Sequence, residues 1–181
     1  KTKTIDRKPS NMDFIIFFTP SVVIIFALIL EYYTNNFASL IFVIYGLYPM
    51  MEMMAPLDLA NFDLKASKEH ENDSRFLIPI YSNVIIDFYC HFRALYRIAY
   101  DDSVNETLVT SIFFVWNYAV PSTMGTCVAH ELIHRREPIH KFFGWLTLYK
   151  DLFTHYAIQH IQNHHKNLCK EEDASTAKKN Q

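Results

Sequence analysis

The residues best placed to do chemistry are histidines. The chain has nine in 181 residues, and seven of them fall between His130 and His165. His130 and His134 stand four apart, so on a helix their imidazoles stack on one face and two nitrogens can meet one metal ion. His160 and His164 repeat the spacing and His165 follows at once, giving H-E-L-I-H and then H-I-Q-N-H-H. His155, five residues before His160, can approach from the preceding turn. Neutral imidazole suits zinc, copper, iron and nickel, and a nitrogen-rich set without thiolate leaves iron open to oxygen chemistry. H-E-L-I-H also fits the zinc metalloprotease pattern, with Glu131 as general base. A protease needs only one further ligand, so that pattern leaves the downstream H-x-x-x-H-H unexplained.

The elements that must carry these residues read as membrane helices. Phe14–Leu30 is an uncharged apolar run, and Phe37–Met54 is a second, broken only by Glu52, with Asn35 and Asn36 between them. Each is close to the 17–20 residues that cross a hydrocarbon core. Phe76–Tyr100 is mostly apolar but holds Asn83, Asp87, His91, Arg93 and Arg97. Leu108–Ala129 is apolar with Trp116 and Pro121, and runs straight into the first histidine pair. The expected fold is therefore an all-α integral membrane protein with about four transmembrane helices, plus interfacial helices carrying the histidines. It is organised as one membrane domain over residues 1–181: a basic segment (1–13), four spans (14–129), histidine helices (130–165) and an extended polar tail (166–181). Within 139–165 an interfacial helix is expected to turn near Gly144 before a second helix.

Charge sets an orientation. Lys1, Lys3, Arg7 and Lys8 precede the first span, Lys65, Lys68 and Arg75 follow the second, and Arg135, Arg136, Lys141 and Lys150 follow the fourth. The opposite connections, Glu31–Asn36 and Asp101–Thr107, contain no Lys or Arg. By the positive-inside pattern the histidines and both termini lie on the basic, cytosol- or matrix-like side. Arg93 and Arg97 break the pattern and are expected to snorkel to the far interface or to face a partner. Asp87 and His91, one turn apart, read as a structural pair, and His70 and His140 as solvated residues. The formal net charge of -2 gives no reason to expect nucleic acid, and three cysteines imply no disulfide framework. A chain that opens on Lys1 reads as processed or as a piece of something longer. A mitochondrial inner membrane fits such a processed chain.

At these residues the sequence resembles a known family. His130-Glu131-Leu132-Ile133-His134-Arg135-Arg136, then His155-Tyr156 and His160-Ile161-Gln162-Asn163-His164-His165, resemble the first two histidine boxes of the membrane alkane monooxygenases, within the fatty acid desaturase and hydroxylase superfamily. Glu172-Asp173-Ala174-Ser175 resembles the acidic stretch after the second box. Tyr45-Gly46 with Pro49 and Glu52 resembles the second-span motif, with Glu52 where Asp is usual. The resemblance implies membrane helices bearing a di-iron site that uses O2 and electrons from a redox partner to hydroxylate alkyl or fatty acyl chains. It implies His130, His134, His160, His164 and His165 as iron ligands, with His155 and Glu52 as further candidates and no catalytic residue separable from the ligands. Two positions depart from the pattern: Gln159 replaces the Glu before the second box, and Asn163 replaces its Gly. A third box of histidines is not among these 181 residues, so a two-iron site would be incomplete or empty, or completed by another chain or by a remainder beyond Gln181.

Three functions follow. The first is a non-haem, O2-dependent hydroxylase or desaturase-like enzyme of lipid metabolism, with an electron-donor protein, membrane lipid and another membrane chain as partners. The second is an inactive descendant serving as an accessory subunit of a larger membrane complex, such as a respiratory one. The third is a membrane zinc protease.

Overall fold

The computed structural model describes residues 5–7, 13–54, 60–62, 73–173 and 175–176. The basic segment, the charged loop with His70, and the last residues of the tail therefore lie largely outside the described part. Among the described residues the regular structure is helical apart from a three-residue parallel pair, β1 (Ile5–Arg7) on β2 (Ala60–Phe62), in the register Ile5 to Ala60. The chain divides into two compact units, Lys1–Pro121 and Ser122–Gln181.

In the first unit a 3-10 lead-in (Asp13–Phe18) runs into α1 (Thr19–Thr34). Asn35 caps α1 in the left-handed region at φ 49°, a conformation that Asn tolerates better than most residues. An Asn36 side-chain oxygen then accepts from Ala38 N at 2.9 Å, which sets the start of α2 (Ser39–Met54). Val43–Leu47 of α2 is π-helical. A short 3-10 turn, capped by Asp73, leads into α3 (Leu77–Tyr100). α4 spans Leu108–His134, and the boundary between the units falls within it after Pro121, a residue with no amide to donate to the carbonyl four residues back.

The buried faces of these helices are more polar than the exposed ones. α1 buries Ser21, Ile24, Ala27 and Glu31 and exposes Val22, Ile25, Phe26 and Ile29. α3 buries Asn83, Val84, Asp87 and Cys90 and exposes Ile85, Tyr89, Phe92 and Leu95. Ser21 Oγ meets Ser82 Oγ at 3.1 Å, while Glu31 Oε1 accepts from Arg93 Nη2 at 3.2 Å. Residues ten apart on α1 thus meet residues eleven apart on α3, so the two helices run parallel, with α2 between them in sequence. Among the described residues one helix, Phe14–Thr34, is long and apolar enough to cross a membrane, with mean hydropathy 2.5, and Ser39–Met54 is apolar but shorter.

Glu31 is the main surprise of this unit. The sequence places it in a surface connection, yet it is 1% exposed in the last turn of α1. It accepts from Arg97 Nη1 (2.8 Å), Arg93 Nη2 (3.2 Å), the Tyr118 hydroxyl (3.0 Å) and Asn117 Nδ2 (3.2 Å). Asn117 Oδ1 accepts in turn from Leu40 N at 2.8 Å. Arg97 also holds Asp101 at 2.6 Å and lies over the ring of Phe37. Both arginines therefore bind inward, because a carboxylate within reach offsets the cost of burying them. Asp87 is buried and the His91 ring meets Phe92 edge-on.

The second unit takes α4 from Ser122 onward, then α5 (Pro138–Lys150) and α6 (residues 155–167). α5 follows after only three residues, with Glu137 extended at its N-cap and Pro138 at its first position, the place where a missing amide costs nothing. It packs tightly on α4: a Cβ added at Gly144 would lie 2.8 Å from Ile133 Cγ2 and 3.1 Å from Ala129 O. Gly144 thus sits inside a continuous helix, and the turn expected there comes later. Leu152 adopts φ 56°, and Leu152 N and Phe153 N donate to Tyr149 O (3.0 Å) and Leu148 O (2.8 Å), the paired bonds of a Schellman ending. Ala129, Ile133, Leu148 and Ala157 form the core of this unit, with Tyr156 against it.

Candidate metal centre

Two elements deliver the imidazoles. α4 continues past the expected end of the fourth span to His134, so His130 and His134 share one regular helix. Their rings lie 4.7 Å apart, edge to face. α6 is built differently, with an α turn (His155–Ile158), a π-helical stretch (Gln159–His164) and a closing α turn (His165–Asn167). His165 N donates to His160 O, the i→i+5 bond that defines a π turn. That widened turn brings residues five apart onto a common face, and it is His165 that joins His160.

The outcome is a convergence of Nε2 atoms. His130 and His160 are 2.7 Å apart at Nε2, His134 and His160 are 3.0 Å apart, and His134 and His130 are 3.2 Å apart. His165 Nε2 lies 3.0 Å from His160 Nε2. Hydrogen bonding cannot account for this set. A neutral imidazole nitrogen either donates one proton or offers one lone pair, and His160 Nε2 has three nitrogen neighbours. Lone pairs aimed at one point are what a cation requires. With metal–nitrogen bonds of about 2.0–2.1 Å, donors at right angles stand about 3.0 Å apart and tetrahedral donors about 3.4 Å; the triangle's edges bracket the first spacing. His130, His134 and His160 could together hold a metal ion.

Electrostatics favour the neutral form of His160 and His134. Burial and the neighbouring imidazoles, His130 and His165 foremost, push the His160 pKa down to about 4. His134 is also lowered, by burial and then by His130 and His165, against a small opposing pull from Glu131. Tyr156 stacks on His160 at 5.1 Å and 15° and on Phe153 at 5.3 Å, forming an aromatic wall behind the imidazoles. Burial raises its hydroxyl pKa.

His164 is held apart. Its Nδ1–H donates to Asp173 Oδ2 at 2.8 Å and its ring stacks over His160 at 5.4 Å. A carboxylate on one imidazole nitrogen fixes the tautomer and leaves the other nitrogen free as a ligand. Asp173 is 4% exposed. Its carboxyl is held below the usual range by the Thr176 hydroxyl first, then by Ser175 N and His164. The tail expected to extend from Lys166 instead turns back here, and Asn163 Nδ2 donates to Glu172 O. The acidic stretch singled out in the sequence thus holds His164 and Asn163 of the H-I-Q-N-H-H segment.

His155, Glu131 and His140 belong to the same unit but make other contacts. His155 is exposed and meets the Phe153 ring edge-on at 4.7 Å. Glu52 is exposed on α2, in the first unit. Glu131 is paired with Arg135 at 2.6 Å on its own helix. His140, read as solvated, is mostly buried, with Nε2 3.9 Å from Glu137. Sequence reasoning missed the role of Asp173; its signal was an acidic residue nine positions after His164. Compared with protein-family models and with curated proteins, the sequence finds no match in either.

Proposed function

We propose that this chain is a multi-pass membrane protein whose imidazole cluster binds a transition metal at the basic side of the bilayer, in the manner of the O2-dependent hydroxylases it resembles. The observation that carries the reading is the triangle of Nε2 atoms from His130, His134 and His160, with edges of 2.7 to 3.2 Å. His165, and His164 through its free nitrogen, are the next ligands. The membrane setting is supported by the inside-out pattern of α1 and α3, whose exposed faces are the apolar ones. Water would gain nothing from that arrangement, whereas hydrocarbon favours it. The parallel course of α1 and α3 fits four alternating crossings.

A bound iron would supply oxygen activation, and the chain's own residues would do the rest. The imidazoles bind as neutral donors, Asp173 holds the tautomer of His164, and Tyr156 with Phe153 shields one side from water. An alkyl or fatty acyl chain arriving from the lipid would meet such a site without crossing water, and electrons would come from a separate redox protein.

The second reading is an accessory subunit of a membrane complex. It is favoured by the ligand count: among the described residues five imidazoles gather, which are few for two irons. Elemental analysis of the detergent-purified protein tests both. Bound iron, cut at least about tenfold by His160→Ala and unchanged by His155→Ala, supports the metal centre. Metal-free protein from iron-replete cells would refute it and favour the accessory role.

A further inference from the structure

A groove of about 600 Å3 runs between α1 and α3 in the first unit. Its walls are graded along the helices. Ile25, Ile29 and Ile85 line one end, and Tyr33, Tyr89 and Arg93 line the other. Because the two helices run parallel, the polar ends of both fall at the same level. The size is that of a site for one small amphiphile.

Arg93 is the informative residue. Nε donates to the Tyr118 hydroxyl at 2.7 Å and Nη2 to Glu31 at 3.2 Å, while Nη1 has no acceptor among the described residues. The side chain is 26% exposed, against 1% for Glu31. Glu31 lies closer to Arg97, at 2.8 Å, and Arg97 also holds Asp101 at 2.6 Å, so Arg93 is the less fully paired of the two guanidiniums. A guanidinium has five N–H donors, and those left open in an apolar setting call for an anionic oxygen.

We propose that this groove holds one phospholipid, with its phosphodiester on Arg93 beside Tyr33 and Tyr89 and an acyl chain along the isoleucines. Guanidinium and phosphate match as a two-pronged pair. Tyrosines mark the level where a bilayer presents its headgroups. A free fatty carboxylate has similar head chemistry, but the bilayer supplies phosphodiesters in far greater amount. The inference is independent of the metal and rests on the chain lying in a membrane.

The test is native mass spectrometry of the full chain released from mild detergent, with lipid analysis of its organic extract. One retained phospholipid per chain is expected. Ile29→Trp with Ile85→Trp fills the groove at two exposed positions and leaves the Glu31 network in place; it should abolish retention. Arg93→Met should weaken retention about tenfold, as loss of a charged hydrogen bond implies. No retained lipid, equal retention by the tryptophan variant, or a fatty acid alone in the extract would each overturn the assignment. A protein that stays in solution without detergent would overturn the membrane reading itself.

Discussion

At the scale of single residues, burial and crowding act together on His160 and His134. Burial first, and then the neighbouring imidazoles, lower the pKa of His160, whose Nε2 lies nearest to three others, to about 4. This has a consequence for the metal-free protein. An unfolded His titrates near 6.5, so between that value and about 4 the unfolded chain binds more protons than the folded one. Stability is then complete above about 6.5 and is lost as pH falls through about 4. Thermal unfolding of chelator-treated protein in detergent should show the midpoint falling over this window. His160→Ala should flatten the fall, and an unchanged slope would mean that the imidazoles are not crowded as described.

At the scale of elements, two close fits decide the architecture. The α4–α5 contact depends on Gly144, whose missing side chain lets Ile133 and the Ala129 carbonyl approach. Two of the three nearest neighbours are backbone atoms, which cannot turn aside. Gly144→Ala should therefore destabilise the second unit by about 1–3 kcal/mol despite the better helix propensity of Ala, measured by denaturation in detergent. A neutral result would show that the helices can part at no cost. In the first unit, Glu31 joins α1 to α3 and α4 through Arg93, Arg97, Tyr118 and Asn117. Glu31→Ala leaves two guanidiniums facing each other without their shared anion and should cost about 3–5 kcal/mol. A loss below about 1 kcal/mol in the same assay would assign the network no structural role.

At the scale of the whole molecule, the proposed four crossings make a prediction about sides. Asn36→Cys and Glu106→Cys fall in the two connections without Lys or Arg, and Cys169 lies in the tail after the histidines. An impermeant maleimide added to sealed vesicles should label the first two from one side and Cys169 from the other. Labelling of all three from one side would dismiss the arrangement. The apolar exposed faces of α1 and α3 would then have to be covered by other protein.

Local sequence determined much of this. Apolar runs gave the helices to within a few residues, even though each run contains a proline (Pro20, Pro49, Pro79 and Pro121). Asn35 marked the end of α1 and Pro138 the start of α5 for reasons confined to their own backbone. The pairing of His130 with His134 needed only the pitch of a helix. What tertiary structure decided is which groups meet across distance. That Glu31 is buried depends on arginines 62 and 66 residues later. That His165 joins His160 depends on a π turn, which a four-residue spacing does not announce. That Asp173 orients His164 depends on a tail that folds back. For Glu31 and Asp173 the energy resides in a contact between separate elements, and the pattern within either alone carries no record of it; for His165 it resides in the width of one turn, which the residue types do not record.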